Sequence, residues 1–576
     1  MDIVFIAGLV VTIATAVPVL LQLRQHPQGL RILFFAEMWE RFSYYGMRGL
    51  LIFFLTQHFL LDDKTANGQY GAYTSLVYLT PLIGGFLADR FLGARKAVAF
   101  GALLLVLGHT TMAFEGKPAT QLLTYHGAQY EFQVSGRGDA RQVKLLVGGA
   151  PYAYGPSADG GLDVKGLPAG APLPGHLAKG DYQLSVQQQD PLFKNVLYVA
   201  LALIIMGVGF LKANISSIVG QLYPQGDARR DSGFTLYYFG INLGSFWASI
   251  ACGWLGQEIG WWAGFGAAGV GMALGWLVFV FGKPLLEGKG EPPDPVALRK
   301  PVIGPLNAEW AIYLLGLIGV GVVFVVVQSF AIVGWLLLAG ALATLAYLGW
   351  YMVGRCTREE RERLMLALVL ILGSVVFWAL YEQGGSSLNQ FAERNVDLRL
   401  WAGQSMAAAQ AQSFQASWIL IFSPIVAALW TWLGRRGRDP NPILKFALGL
   451  LFVGGSYFVI VASAAFAGPD FKIPLLMLAL AYLAQTTGEL CLSPVGLSQM
   501  TKLAPPVLIS TLMATWFLGT SGAQLLAAKI AQLTAAETIG GQVLDAGKSL
   551  ANYVHVFTMI GLLGLGAGVL FLVLSP

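Results

Sequence analysis

One stretch, Glu37-Met-Trp-Glu40-Arg41-Phe-Ser-Tyr44-Tyr45-Gly46-Met-Arg48, carries two carboxylates, two guanidiniums and two phenols. At about 100° per residue, positions 37, 40, 41, 44, 45 and 48 fall within roughly 140° of one helix face. Such a face can bind an anion, hold a proton on a carboxylate, or exchange ion-pair partners. Three more ionisable residues stand in apolar surroundings far along the chain. Lys212 lies in Gly207-Val-Gly-Phe-Leu-Lys-Ala-Asn214, Glu382 ends Phe377-Trp-Ala-Leu-Tyr-Glu, and Glu489 lies in Gln485-Thr-Thr-Gly-Glu-Leu-Cys-Leu-Ser-Pro494. The sequence offers no nucleophile–base pair, metal cluster or phosphate loop beside them, which argues against an enzyme.

The elements that position these groups follow from composition. Of 576 residues, 56% are hydrophobic and 12% charged, with mean hydropathy +0.62. A soluble domain carries about 25% charged residues, so the chain reads as an all-α polytopic membrane protein. Ionisable side chains inside a span cost several kcal/mol and face a bundle interior or a water-filled cavity. The competing reading is an ion-pair network that serves structure alone. Six polar groups on one face, with candidate partners on other helices, favour a functional face. The net charge of +5 is small, and its basic residues sit in short loops, where they act as topology signals rather than nucleic-acid contacts. Cys252, Cys356 and Cys491 show neither disulfide nor metal spacing.

A span needs about 20 apolar residues. Such segments fall near 2–22, 31–60, 69–88, 95–114, 194–221, 234–255, 261–282, 309–329, 331–352, 364–382, 414–433, 446–467, 473–496, 507–530 and 553–574. Basic clusters around 90–96, 229–230, 283–300, 355–363 and 435–445 fall on one side if the first segment starts outside the cell. Met1-Asp2 lacks the basic region of a signal peptide, so residues 2–22 read as a retained helix. Setting aside that helix and the pair at 309–352 leaves two sets of six, the architecture of the major facilitator superfamily, with a site between the halves. The expected organisation is 1–30 extra helix and linker, 31–114 with 191–283 first bundle, 284–363 linker with two helices, and 364–576 second bundle. Residues 115–190 are too polar for lipid and form a periplasmic insertion. Its period-2 runs at 129–134, 141–147 and 182–186 suggest β-hairpins, whereas the Gly/Pro/Ala-rich 148–180 reads as loop. Arg137-Gly-Asp139 reads as a chance turn triplet.

Two sets of residues carry a family resemblance. Gly85-Phe-Leu-Ala-Asp89-Arg90-Phe-Leu-Gly93-Ala-Arg95-Lys96 fits the superfamily's cytoplasmic-loop signature, in which an aspartate near helix N-termini makes and breaks contacts as the halves rock. Glu37-x-x-Glu40-Arg41-Phe-x-Tyr44-Tyr45 resembles the signature of the proton-dependent oligopeptide transporter family. Gly207–Asn214, Phe234–Ser245 and Gly488–Ser498 are similar to that family as well, and the helix pair at 309–352 matches one that its bacterial members carry.

The resemblance implies a proton-coupled symporter of di- and tripeptides in the bacterial inner membrane, with its C-terminus cytoplasmic and its N-terminus periplasmic. It implies small peptides, the proton and membrane lipid as partners, and no cofactor beyond the coupling proton. Arg41 and Lys212 would hold the peptide carboxylate, and Glu489 with Asn242 its ammonium. Glu382 and Glu40, assisted by Glu37, would handle protons. Arg48–Glu382 would be the periplasmic gate pair and Lys212–Glu489 a pair linked to the cytoplasmic gate. Tyr45, Tyr78, Trp378 and Trp516 would line side-chain pockets; for the two Trp residues helix packing competes, and for Lys212 snorkelling. One departure stands out: Phe414-Gln-Ala-Ser-Trp418 has an indole where the family often has asparagine, and this is expected to crowd the site. The rivals are a symporter of another small anion or zwitterion, and a non-transporting sensor whose 115–190 insertion binds an unknown periplasmic partner.

Overall fold

The computed structural model describes residues 3–188, 190–224, 226–227 and 229–575. Asp2, of the first expected segment, and the side chains of Asp139, Pro494 and Ser498 lie outside the described residues. Each expected span is a helix. In chain order they are α1 (Ile3–Leu23), α2 (Gln28–Phe53), α3 (Asp63–Leu79), α4 (Ala94–Met112), α5 (Pro191–Gln221), α6 (Arg230–Trp254), α7 (Trp261–Phe281), α8 (Ala308–Val327), α9 (Phe330–Arg355), α10 (Arg358–Tyr381), α11 (Ser413–Arg435), α12 (Pro442–Ser463), α13 (Leu475–Leu503), α14 (Ile509–Leu533) and α15 (Ala546–Leu574). Among the described residues, eleven helices are long and apolar enough to cross a membrane on composition alone. The polar α2 is not among them, because its charges lower its hydropathy.

Helix starts follow local chemistry. Asp62 caps α3 by accepting from Thr65 N at 3.0 Å, and Thr357 with Glu360 forms a capping box on α10, each satisfying orphan backbone donors. Past Thr80, α3 continues through Pro81–Leu87 and a π turn that ends at Gly93, whose φ of +75° favours glycine.

Helices α2–α7 form one bundle, in which α2 packs on α6 and α7, and α4 on α5 and α7. Helices α10–α15 form the other, in which α12 packs on α13 and α15. The halves meet along two seams, α3 with α14 and α6 with α11. Helix α1 lies on α6 and touches α11, α8 lies on α5, and α9 covers α14 and α3. The indole of Trp247 donates to Thr12 Oγ1 at 2.9 Å, and Ile3 N donates to Gln404 Oε1 at 3.0 Å.

The insertion between α4 and α5 is a seven-stranded antiparallel sheet. Its strands are β1 (Thr120–Tyr125), β2 (Ala128–Ser135), β3 (Gln142–Val147), β4 (Ala150–Pro156), β5 (Leu162–Lys165), β6 (His176–Leu177) and β7 (Tyr182–Gln187), in the order β6-β5-β4-β3-β2-β1-β7. The loop expected over 148–180 is corrected: it contributes β4, β5 and β6. Its Gly and Pro residues punctuate short strands rather than abolish them. Alternate residues Leu123, Phe132, Leu145 and Leu162 are fully or almost fully buried in a core of the insertion's own. One fully buried member comes from elsewhere: Ile539, in the Thr538–Val543 hairpin between α14 and α15.

Candidate functional site: a charged cavity between the halves

Helix α2 lies close to α6 because residue 46 has no side chain; a Cβ there would stand 2.6 Å from Cys252 Sγ. This approach holds the charged face of α2 toward the second half. Arg41 Nε donates to Glu37 Oε1 at 2.8 Å and stands 3.0 Å from Glu40 Oε2. All three side chains are buried. The Arg41–Glu40 contact is one of charge alone, and neither Glu40 oxygen accepts a hydrogen bond among the described residues.

About two helical turns beyond Arg41, Arg48 crosses to the other half. Its Nη2 donates to Glu382 Oε2, at the end of α10, and its Nε donates to Tyr70 of α3 at 2.7 Å. Arg48 and Glu382 form part of the wall of a 130 Å³ cavity between the halves. Tyr45, Tyr78, Asn242, Trp378 and Glu489 also line it. Asn242 Nδ2 donates to Tyr238 O at 2.9 Å.

Other sequence-derived site residues lie elsewhere or pair differently. Among the described residues, Lys212 and Glu489 form no ion pair. The Lys212 ammonium sits 3.6 Å from the centroid of the Tyr78 ring, a cation–π contact, and Glu489 accepts a hydrogen bond from Tyr381 OH. Trp516 does not line the cavity; its ring packs against Gly496 on α13. The crowding expected from Trp418 is corrected, since its indole donates to Ala479 O at 2.9 Å on α13 and Ile419 meets the cavity instead. Asp89 is exposed and, among the described residues, has no ion-pair partner. The same loop engages the linker through Arg95, which bonds Glu291 at 2.7 and 3.0 Å, and through Lys96, which meets Glu309 at the start of α8.

Sequence reading missed a second polar layer, on the face that carries the insertion. Asp63 receives two hydrogen bonds from Arg394, at 2.8 and 2.7 Å, and one from Ala536 N at 2.9 Å. Asn67 bonds Gln390 at 3.0 Å, and Gln57 donates to Glu393. Asp63 fell outside the expected span 69–88, and Arg394 lay beyond the one ending at 382. A usable signal was present: Asp63 stands just after the cap residue Asp62, and Ser387–Asn395 has strong helical amphipathicity. A cavity of 610 Å³ lies in this outer layer under the insertion, away from the Arg41 and Arg48 networks. The charged cavity between the bundles remains the candidate site, because its ionisable groups converge from both halves.

Two six-helix bundles facing each other across a charged cavity define a secondary transporter of the major facilitator type. The chain belongs to the POT family, whose model matches residues 95–544. A protein of Bacillus subtilis (strain 168) named as an uncharacterized transporter is 32% identical, over 96% of this chain and 94% of its own length. A dipeptide and tripeptide permease A of Edwardsiella piscicida is 30% identical, over 96% and 95%. Among solved structures, a peptide transporter POT in complex with sulfate superposes with TM-score 0.68 at 32% identity, covering 95% of this chain and 94% of that one. A POT family transporter in complex with 5-aminolevulinic acid gives TM-score 0.70 at 26% identity, covering 96% of each.

Proposed function

We propose that the protein is a proton-coupled symporter that imports di- and tripeptides across the bacterial inner membrane by alternating access, with the insertion and N-terminus periplasmic. The observation that carries this reading is the Arg48–Glu382 pair, which bridges the halves in the wall of the cavity. Protonation of Glu382 releases Arg48, so a proton and a gate share one carboxylate. Arg41 and Lys212 offer a guanidinium and an ammonium to the peptide carboxylate. Glu489, with Asn242 beside it, takes the peptide ammonium in place of the Tyr381 hydroxyl. Glu40, whose oxygens accept no hydrogen bond among the described residues, is the second proton carrier, and Glu37 holds Arg41 in place. Tyr45, Tyr78 and Trp378 supply aromatic walls that accept varied side chains with little directional demand.

In this state the insertion-bearing face is closed by Arg48–Glu382, Asp63–Arg394 and Gln57–Glu393. Lys212 and Glu489, which form no ion pair among the described residues, and the exposed Asp89 fit a cytoplasmic side that is not locked. Each charge moved inward is worth about 2.3 kcal/mol per 100 mV, which supports roughly a 40-fold peptide gradient at ~1.4 kcal/mol per tenfold. The test is acid-driven uptake of a labelled dipeptide into liposomes. Glu382→Gln is expected to abolish gradient-driven uptake while sparing exchange; full gradient-driven uptake by that variant would remove Glu382 from proton coupling.

A second reading, import of another small zwitterion, is favoured by the structural neighbour that holds 5-aminolevulinic acid. Competition decides between them: unlabelled dipeptides displace the label under the first reading, and only the smaller amino acid does so under the second.

A further inference from the structure

We propose that the β-sheet insertion is an intramolecular clasp, carried by the first half, that grips the periplasmic hairpin of the second half and must release it before the transporter opens outward. The proposal rests on the alternating-access reading above. Covalently, residues 120–187 belong to the first half, joined through the ends of α4 and α5. Their joints are tied there too: Ala119 N donates to His58 O at 2.8 Å and Gln188 Nε2 to Phe59 O at 3.2 Å.

The packing runs the other way. Among the described residues, the one buried side chain that the rest of the molecule adds to the insertion's core is Ile539, fully enclosed with Leu123, Val143 and Leu145. Polar ties surround that anchor. Gly540 N donates to Gln121 Oε1, Arg141 donates to Gly540 O, and Gln542 Nε2 donates to Arg141 O at 2.9 Å. Gly540 takes a φ of +57°, and a Cβ there would stand 2.8 Å from Val143 Cγ1, so the hairpin's tip is fitted to β3. A sheet that only capped its own bundle would bury residues of that bundle; this one buries the opposite half's.

The clasp also meets the gate. Ala536, at the foot of the hairpin, donates its N–H to Asp63, the acid held by Arg394. When the halves part on this face, residues 536–543 travel with α14 and α15 and the sheet travels with α4 and α5. Ile539 then leaves the core and Gly540 loses its partners. Closure restores both, so each cycle makes and breaks a small apolar contact far from the substrate.

The test uses full-length protein in right-side-out vesicles. Asn67→Cys reports outward opening through its rate of modification by an impermeant maleimide, since Asn67 is fully buried behind the closed face. In that background Ile539→Ser is expected to raise the rate at least fivefold. Arg141→Gln, which leaves the sheet's core intact, is expected to raise it at least twofold. Unchanged rates in both overturn the clasp. In a second arm, Arg141→Cys with Gln542→Cys is joined by a cleavable bis-thiosulfonate linker. Modification of Asn67→Cys and dipeptide uptake should both fall at least tenfold and recover on cleavage; persistence of modification when linked also overturns it. If modification responds as expected while no variant takes up peptide, the clasp stands and the substrate assignment fails.

Discussion

Asp63 and Arg394 face each other across the two halves with both terminal guanidinium nitrogens, Nη1 and Nη2, engaged and side chains only 1% and 5% exposed. Ser387–Asn395, which carries Arg394, also presents Gln390 to Asp63 and Glu393 to Gln57. One short helix of the second half thus makes several of the polar contacts that close the insertion-bearing face.

Removing one partner leaves the other buried and unpaired. Asp63→Asn alone is expected to cost about 3–5 kcal/mol. The double variant Asp63→Asn/Arg394→Gln should be milder than the sum of its singles, with a coupling of about 1–3 kcal/mol. Denaturant unfolding of the detergent-purified protein, run as a double-mutant cycle, gives both figures; strictly additive losses would mean the pair is not coupled.

Glu489→Gln is expected to weaken binding of a free-amine dipeptide at least tenfold, about 1.4 kcal/mol. Its N-acetylated form should bind variant and parent equally. Calorimetric titration with the two ligands checks this, and an equal loss for both would detach Glu489 from the ammonium.

Trp418→Phe removes the indole donor to Ala479 and keeps the aromatic bulk. The expected cost is about 1 kcal/mol of stability, with KM for peptide unchanged because the indole faces α13. A large shift in KM would return Trp418 to the cavity.

His176 in β6 stands between Asp163, 2.8 Å from Nδ1, and Asp159, 3.2 Å from Nε2. The hydrogen bond to Asp163 is the largest of the influences that raise its pKa above the ordinary 6.5. A raised folded-state value stabilises the protonated, folded form. The contribution is therefore complete below about pH 6.5 and lost as pH rises through the higher folded value. Amide exchange of Leu162–Lys165 should quicken above neutrality, and His176→Ala should flatten that dependence; identical pH profiles would remove His176 from the β5–β6 pairing.

The helical plan was legible because fifteen apolar runs of spanning length leave little choice about where the helices fall, and the charges on α2 could be seen to need partners. Short strands were harder. β4 and β5 hide in a Gly-rich stretch because a surface sheet of this size alternates only two or three buried positions per strand. The outer polar layer was missed for a related reason: Asp63 and Arg394 lie past the ends of apolar runs, where a hydropathy window stops although α3 already begins at Asp63 and a further short helix spans Ser387–Asn395. Lys212 shows the limit of pairing by charge alone, since an aromatic face can hold an ammonium as Tyr78 does. Trp418 shows the limit of reading orientation from residue type.

Two of the three helices outside the two bundles lie over the seams between them. Helix α1 overlies the α6–α11 seam and α9 overlies the α3–α14 seam. On the alternating-access reading proposed above, each would act as a gasket that shields the joint between the halves from acyl chains. Rocking on these joints, on that reading, would displace a protein helix rather than a file of lipids, so bilayer composition and lateral pressure would reach the two halves through α1 and α9.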